Sequence, residues 1–303
     1  MTALDGELVA GTAEDLVADA LVLGLKRAST RMVKDWVENG LLAHPRFCKS
    51  TQRGSDLSLF PPDQRMLFRK IIEGRLRSPL ARVPHHTVVP VIISMWLYGD
   101  PAIADDQARR ALRTYAKKAG ANTAARRKAT ARAVVDQFAH PDAPRGVRLR
   151  TENLLIDGER RRDPDWGELR SAMEELAAPW RHYGLPRLDE RTLGLPEAPV
   201  TFDYAVAIWM LKSEVRKRLE TESLGPAPLL RARAEFSRGW AEYQRDREGL
   251  AARAGTNSTT FTAPADLEAH AREHVDSFIS TLGRTAGYAD PIFRQAGLNV
   301  RRA

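Results

Sequence analysis

Apolar residues recur along most of this chain at spacings of three and four, the signature of helices that bury one face. Thr12-Ala-Glu-Asp15 has the spacing of a capping box, with Asp in place of Glu. The helix it starts would carry Leu16, Val17, Ala20 and Leu21 on one side, and Gly24 is placed to end it. Ser29 or Thr30 caps the next helix, which divides sharply into Val33, Trp36 and Val37 against Arg31, Lys34 and Asp35. Gly40 supplies its left-handed stop. A basic, turn-rich stretch over 45–55 leads to a short apolar strand, 57–60. Pro62 then falls in the first turn of a third helix, where its missing N–H costs nothing, and Met66, Leu67, Ile71 and Leu76 line that helix.

Beyond a turn-rich connector at 77–86, the almost wholly apolar segment 88–98 is expected to be buried. Residues 105–118 are amphipathic, with Ala108, Ala111, Leu112 and Tyr115 inward; 122–139 repeat the pattern with Ala125, Ala129, Ala133, Val134 and Phe138. Prolines and glycines make 140–164 read as a long loop with one short element over 147–156. Helices are expected at 166–183, 202–222, 229–254 and 266–283, with a connector at 185–199 and a polar break at 255–262. No strict heptad survives three turns, which favours a compact bundle over a coiled coil. The expected fold is all-α with a small β wing. An N-terminal winged helix-turn-helix would occupy 1–80, and a larger helical bundle domain 88–303, with a sub-boundary near 184–200.

Composition supports the helical reading and adds a partner. Ala, Leu, Arg and Glu dominate, and the net charge of +8 fits a polyanion. The excess is uneven: residues 26–77 hold 12 Lys/Arg against 5 Asp/Glu, and 101–162 hold 15 against 7, whereas 163–303 hold 19 against 21. One cysteine, Cys48, excludes an internal disulfide framework and any Cys-rich metal knot. The N-terminus lacks a basic-then-apolar signal pattern. The longest apolar run falls far short of the roughly 20 residues that span a bilayer. The expected location is the cytoplasm, in association with the nucleoid rather than a membrane.

An ordered series carries a family likeness: Ser29 at the cap, Val33-Lys34 and Trp36 in the helix, Asn39-Gly40-Leu41-Leu42 at its end, Pro45-Arg46 leading into the wing, Arg53-Gly54 at its tip, Leu59-Phe60 before the third helix. Over 29–68, about an eighth of the chain, this resembles the MerR-type winged helix-turn-helix family. The departures are specific. Lys34 stands where the family has an arginine, Asp35 where an aromatic follows, and the spacing from Gly24 is longer. The metal- or drug-binding segment of many relatives is absent, so metal regulation is not carried over. The resemblance implies sequence-specific binding of double-stranded DNA by a homodimer, most simply a transcriptional regulator. The apolar stripes of 202–222, 229–254 and 266–283 would supply a dimer or partner-protein interface.

The chemistry of the residues points the same way. Arg31 and Lys34 could read guanine edges in a major groove, with Ser29 and Thr30 against phosphate at the helix N-terminus. Arg46, Lys49 and Arg53 of the wing would straddle the backbone or enter the minor groove. Trp36 shares a face with Val33 and Val37 and belongs to the core. A second basic tract offers Arg109, Arg113, Lys117, Arg126 and Arg127 as further phosphate contacts, or as an ordinary solvated face. His270 and His274 have H-x-x-E-H order, but the acids downstream are only Asp276, two residues on, and Asp290, a thin choice to complete a zinc site, so no metal is expected. Asp105-Asp106 suit a helix N-terminus. No phosphate loop, nucleophile elbow or dinucleotide fingerprint occurs, so no catalytic residue and no cofactor is expected, and the protein is not read as an enzyme. Two other readings stay open: an excisionase, replication or partition factor of a mobile element, and a helical-domain enzyme.

Overall fold

A computed structural model of the chain describes residues 8–49, 56–77, 85–118, 124–161, 164–181, 190–264, 266–296 and 298. Among them are twelve α-helices and two short antiparallel hairpins, an all-α architecture with little β structure. In chain order come α1 (Ala13–Val22), α2 (Thr30–Glu38), the hairpin β1 (Arg46–Lys49) and β2 (Asp56–Leu59), α3 (Pro62–Arg77), α4 (His85–Leu97) and α5 (Asp105–Lys118). There follow α6 (Ala124–Phe138), α7 (Arg145–Arg161), α8 (Trp166–Ala177) and the hairpin β3 (Leu193–Leu195) and β4 (Ala198–Val200). The chain closes with α9 (Phe202–Glu220), α10 (Pro226–Ala254), a 3-10 turn (Gly255–Phe261), α11 (Leu267–Thr285) and α12 (Ala289–Gln295). Two compact units divide it: residues 1–117 with 265–275, and 118–264 with 276–303. The first therefore extends beyond the 1–80 expected for an N-terminal domain, through α4 and nearly all of α5. Among the described residues no helix is long and apolar enough to cross a membrane.

In the first unit the local signals act as the sequence suggests. Asp15 N–H donates to Thr12 Oγ1 at 3.3 Å and Thr12 N–H donates to Asp15 Oδ2 at 2.8 Å, closing the capping box. Leu16 and Ala20 of α1, Val33, Trp36 and Val37 of α2, and Leu67, Phe68 and Ile72 of α3 are buried. The Trp36 and Phe68 rings lie 5.2 Å apart. Arg65 of α3 forks onto Asp19 of α1 at 2.6 and 2.9 Å. The inner face of α3 is rotated from the expected one: Met66 and Leu76 are exposed, and Gln64, Phe68 and Ile72 turn inward instead. A buried glutamine in the stripe hides the true period. β1 and β2 pair as Arg46 with Leu59, Phe47 with Ser58, Cys48 with Leu57 and Lys49 with Asp56. At the base of this hairpin Gly11 and Phe60 exchange two backbone hydrogen bonds, of 3.0 and 2.7 Å, anchoring the segment ahead of α1.

The second unit corrects several expectations. The segment read as a long loop is largely helix: α7 runs from Arg145 to Arg161. Pro144 precedes the helix, where proline is tolerated, and Gly158 is a packing glycine whose added Cβ would come within 2.8 Å of Pro164 Cβ. The connector before α9 contains the hairpin β3–β4. In α6 the buried residues are Ala131, Val135 and Phe138; Ala125, Ala129 and Ala133 face solvent. Alanines lie on every side of that helix, so only the larger side chains identify its inner face. Val135 and Phe138 join Leu169, Met173 and Leu176 of α8 and Phe202 and Val206 of α9 in one core. A second cluster sets Ala207 and Leu211 against Ala289, Phe293 and Ala296. The stripes of α9, α10 and α11, expected at an intermolecular interface, are covered within the chain: Leu211, Val215, Leu219, Phe236, Trp240, Phe278 and Leu282 are all buried. Phe236 meets Trp240 at 5.4 Å and Phe278 at 5.7 Å.

Candidate nucleic-acid interface

The helix α2 is built to have one dry face and one wet face. Ser29 caps it from extended backbone, its Oγ accepting from Met32 N–H at 3.3 Å. Its C-terminus closes in a Schellman arrangement: Leu41 N–H donates to Trp36 O at 2.8 Å and Gly40 N–H to Val37 O at 3.0 Å, with Gly40 at φ +75. Because Val33, Trp36 and Val37 are fixed in the core, the intervening positions must point out. Arg31 and Lys34 are exposed, Thr30 is half-buried, and Ser29 is exposed at the cap. Asp35 and Glu38 are exposed as well. The positive character therefore lies in the first half of α2, and two carboxylates follow it. That is the end at which the helix dipole also favours an anion.

Polar groups with no sequence motif hold the C-terminal end of α2 in place. Gln64 is 2% exposed and Gln107 fully buried. Gln64 Oε1 accepts from Ala43 N–H at 2.8 Å, and its Nε2 donates to Ala102 O and, at 3.2 Å, to Gln107 Oε1. Gln107 Nε2 in turn donates to Leu41 O at 3.1 Å. Arg110 donates from Nε to Val37 O at 2.9 Å and from Nη2 to Leu42 O at 3.1 Å, and pairs with Asp106. Three side chains of α3 and α5 thus hydrogen-bond the carbonyls of Val37, Leu41 and Leu42 and the N–H of Ala43, at and just beyond the end of α2. Arg110 sits among the basic residues of α5, beside Arg109 and Arg113, yet it is a structural clamp. The available signal is its i+3 offset from buried Gln107, which carries weight only once α5 is known to lie against α2.

The other expected contacts are distributed as follows. Arg46 is exposed on β1. Lys49 pairs with Asp56 in the ladder, and Arg53 lies outside the described residues. On α5, Arg109 and Lys117 are exposed and Arg113 is half-buried, a row at successive intervals of four. Partial burial pushes the Lys118 ammonium pKa down. Arg126 is exposed and Arg127 half-buried, but both belong to the second unit, so the tract is not one continuous feature of a single unit. Cys48 is an exposed thiol.

His270 and His274 serve an internal contact. Ser94 Oγ and His274 Nδ1 share a hydrogen bond of 2.7 Å, and the Tyr98 ring stacks on His274 at 4.5 Å. Tyr98 Oη and His270 Nε2 lie 3.4 Å apart. Burial, with repulsion from His270 adding to it, pushes the His274 pKa down to about 4. Among the described residues no three His, Cys, Asp or Glu side chains gather as a metal site.

Comparison with protein-family models, curated proteins and solved structures finds no match to this chain.

Proposed function

We propose that this protein binds double-stranded DNA sequence-specifically, as a transcriptional regulator of MerR-like type, with α2 as its reading helix. The observation that supports this most is the division of α2. Its inner face is core, and its capped N-terminal half turns Arg31 and Lys34 outward. Arg31 and Lys34 are the specificity residues in this reading. Arg46 anchors from the hairpin, and the row Arg109, Arg113 and Lys117 contributes phosphate contacts. Binding as a homodimer belongs to the same proposal. Because the late helical stripes are already buried, the dimer would use another surface, and sedimentation of the full chain with and without DNA would measure it.

The test is a gel-shift titration at fixed salt on duplexes enriched by the full chain from a random-sequence pool. Arg31→Ala and Lys34→Ala should each weaken binding by about 1–3 kcal/mol for every base edge no longer read, and relax preference at one base position. Both side chains are exposed, so the melting temperature should hold. Unchanged affinity and preference in both variants would sink the assignment of α2.

A further inference from the structure

The hairpin of the first unit presents an aromatic ring to solvent. Phe47, the second residue of β1, is 77% exposed. Side chains directly opposite in an antiparallel pair share a face, and the residue opposite Phe47 is the small Ser58. The ring therefore stands above a hydroxyl rather than against a large neighbour. The other face of the ladder takes Arg46 and Cys48, both exposed, together with Leu57, 44% exposed.

One exposed phenylalanine is commonplace; its setting selects a partner. Phe47 lies between Arg46 and Cys48-Lys49, in a stretch (26–77) with 12 basic residues against 5 acidic. A neutral apolar protein surface would have to desolvate those cations without compensation, whereas a nucleic acid offers phosphate to the cations and base faces to the ring. Charge complementarity thus points to the same polyanion as α2, which precedes the hairpin in the same unit.

We propose that Phe47 is an apolar wedge. The hairpin presses it into the minor groove, where it partly unstacks one base step and bends the duplex, while Arg46 holds an adjoining phosphate. This rests on the DNA-binding reading above. Apolar wedges act in this way at minor grooves, and they work most cheaply at pyrimidine–purine steps, which unstack readily. Phe47 would then supply specificity at a position where no base-edge hydrogen bond is made.

The experiment uses the full chain and the duplexes it enriches from a random-sequence pool, with dyes at both ends to read bending by energy transfer. Phe47→Ala should bind about 10-fold more weakly, bend the duplex less, and keep the wild-type slope of log K against log salt, because every phosphate remains neutralised. Arg46→Ala should do the reverse, keeping the bend while the slope falls by about 1. Phe47→Leu, still an apolar wedge, should retain most of the bend. Phe47→Ala that binds and bends like the wild type overturns the proposal. So does loss of fold in that variant, because an exposed wedge is not a core residue, or a change of oligomeric state that accounts for the weaker binding. A wild-type chain that enriches no duplex removes the DNA-binding reading itself, a result distinct from an inert Phe47.

Discussion

Gly40→Ala should destabilise the first unit by about 3–5 kcal/mol, far more than its single methyl group suggests. Two costs combine. Gly40 has φ +75, where an L side chain is strained by about 1–2 kcal/mol. In addition, the new Cβ would fall 2.2 Å from Ala111 N and 2.7 Å from Gln107 O, both backbone atoms of α5. A side chain can rotate away from a clash; a helix backbone can only move as a body. The glycine that terminates α2 is therefore also packed directly against the backbone of α5. Gly24 provides the control, because it too has positive φ (+102) but nothing within 4 Å of its added Cβ. Gly24→Ala should cost only the strain, about 1 kcal/mol. Urea unfolding followed by tryptophan fluorescence would compare the two. Equal effects would mean that α5 does not lie against Gly40 as described. If α2 is the reading helix, Gly40→Ala should also weaken DNA binding without removing any DNA-contacting group, because the clamp made by Gln64, Gln107 and Arg110 would be pushed out of register.

That clamp explains where sequence reading reaches its limit. The caps at Thr12 and Ser29, the stop at Gly40 and the inward Trp36 are readable because each is decided within a few residues. The face of α3 is not, since Gln64 occupies a core position for partners 38 and 43 residues away, Ala102 and Gln107. Nothing near Gln64 marks it as buried. Arg110 resembles one more cation on a basic helix for the same reason, its acceptors Val37 O and Leu42 O being distant in sequence. The helix α7 escapes by the opposite error: Gly146, Gly158 and Pro164 read as breakers, although a glycine is permitted in a helix where a proline packs against it. In the candidate interface, Arg31 and Lys34 can be named because the apolar side of α2 defines the polar side. The exposure of Phe47 cannot, because a four-residue strand has no period long enough to distinguish its two faces.

His274 makes the stability of the first unit depend on pH, in a direction fixed by its surroundings. Its imidazole is 1% exposed, bonded to Ser94, stacked on Tyr98 and one turn from His270. Its folded-state pKa of about 4 lies below the 6.5 of a free histidine. Between those values the unfolded chain binds a proton that the folded chain does not, so stability rises with pH across the window. The contribution is complete above pH 6.5 and lost as the pH falls toward 4, an effect of roughly 2–3 kcal/mol. Carboxylates begin to titrate in the same range, so the informative quantity is a difference between two proteins. His274→Asn keeps a neutral hydrogen-bonding group near Ser94 but cannot take up the proton. It should be less stable than wild type at pH 7.5, from weaker ring packing, and that gap should narrow by about 2–3 kcal/mol as the pH approaches 4. Urea midpoints measured for both proteins from pH 7.5 to 4 would read the gap directly. A constant gap would mean that the folded chain accommodates a charged His274. A narrowing gap would show that α11 is held against Ser94 and Tyr98 through the neutral ring, so that the H-x-x-E-H spacing serves packing within this unit.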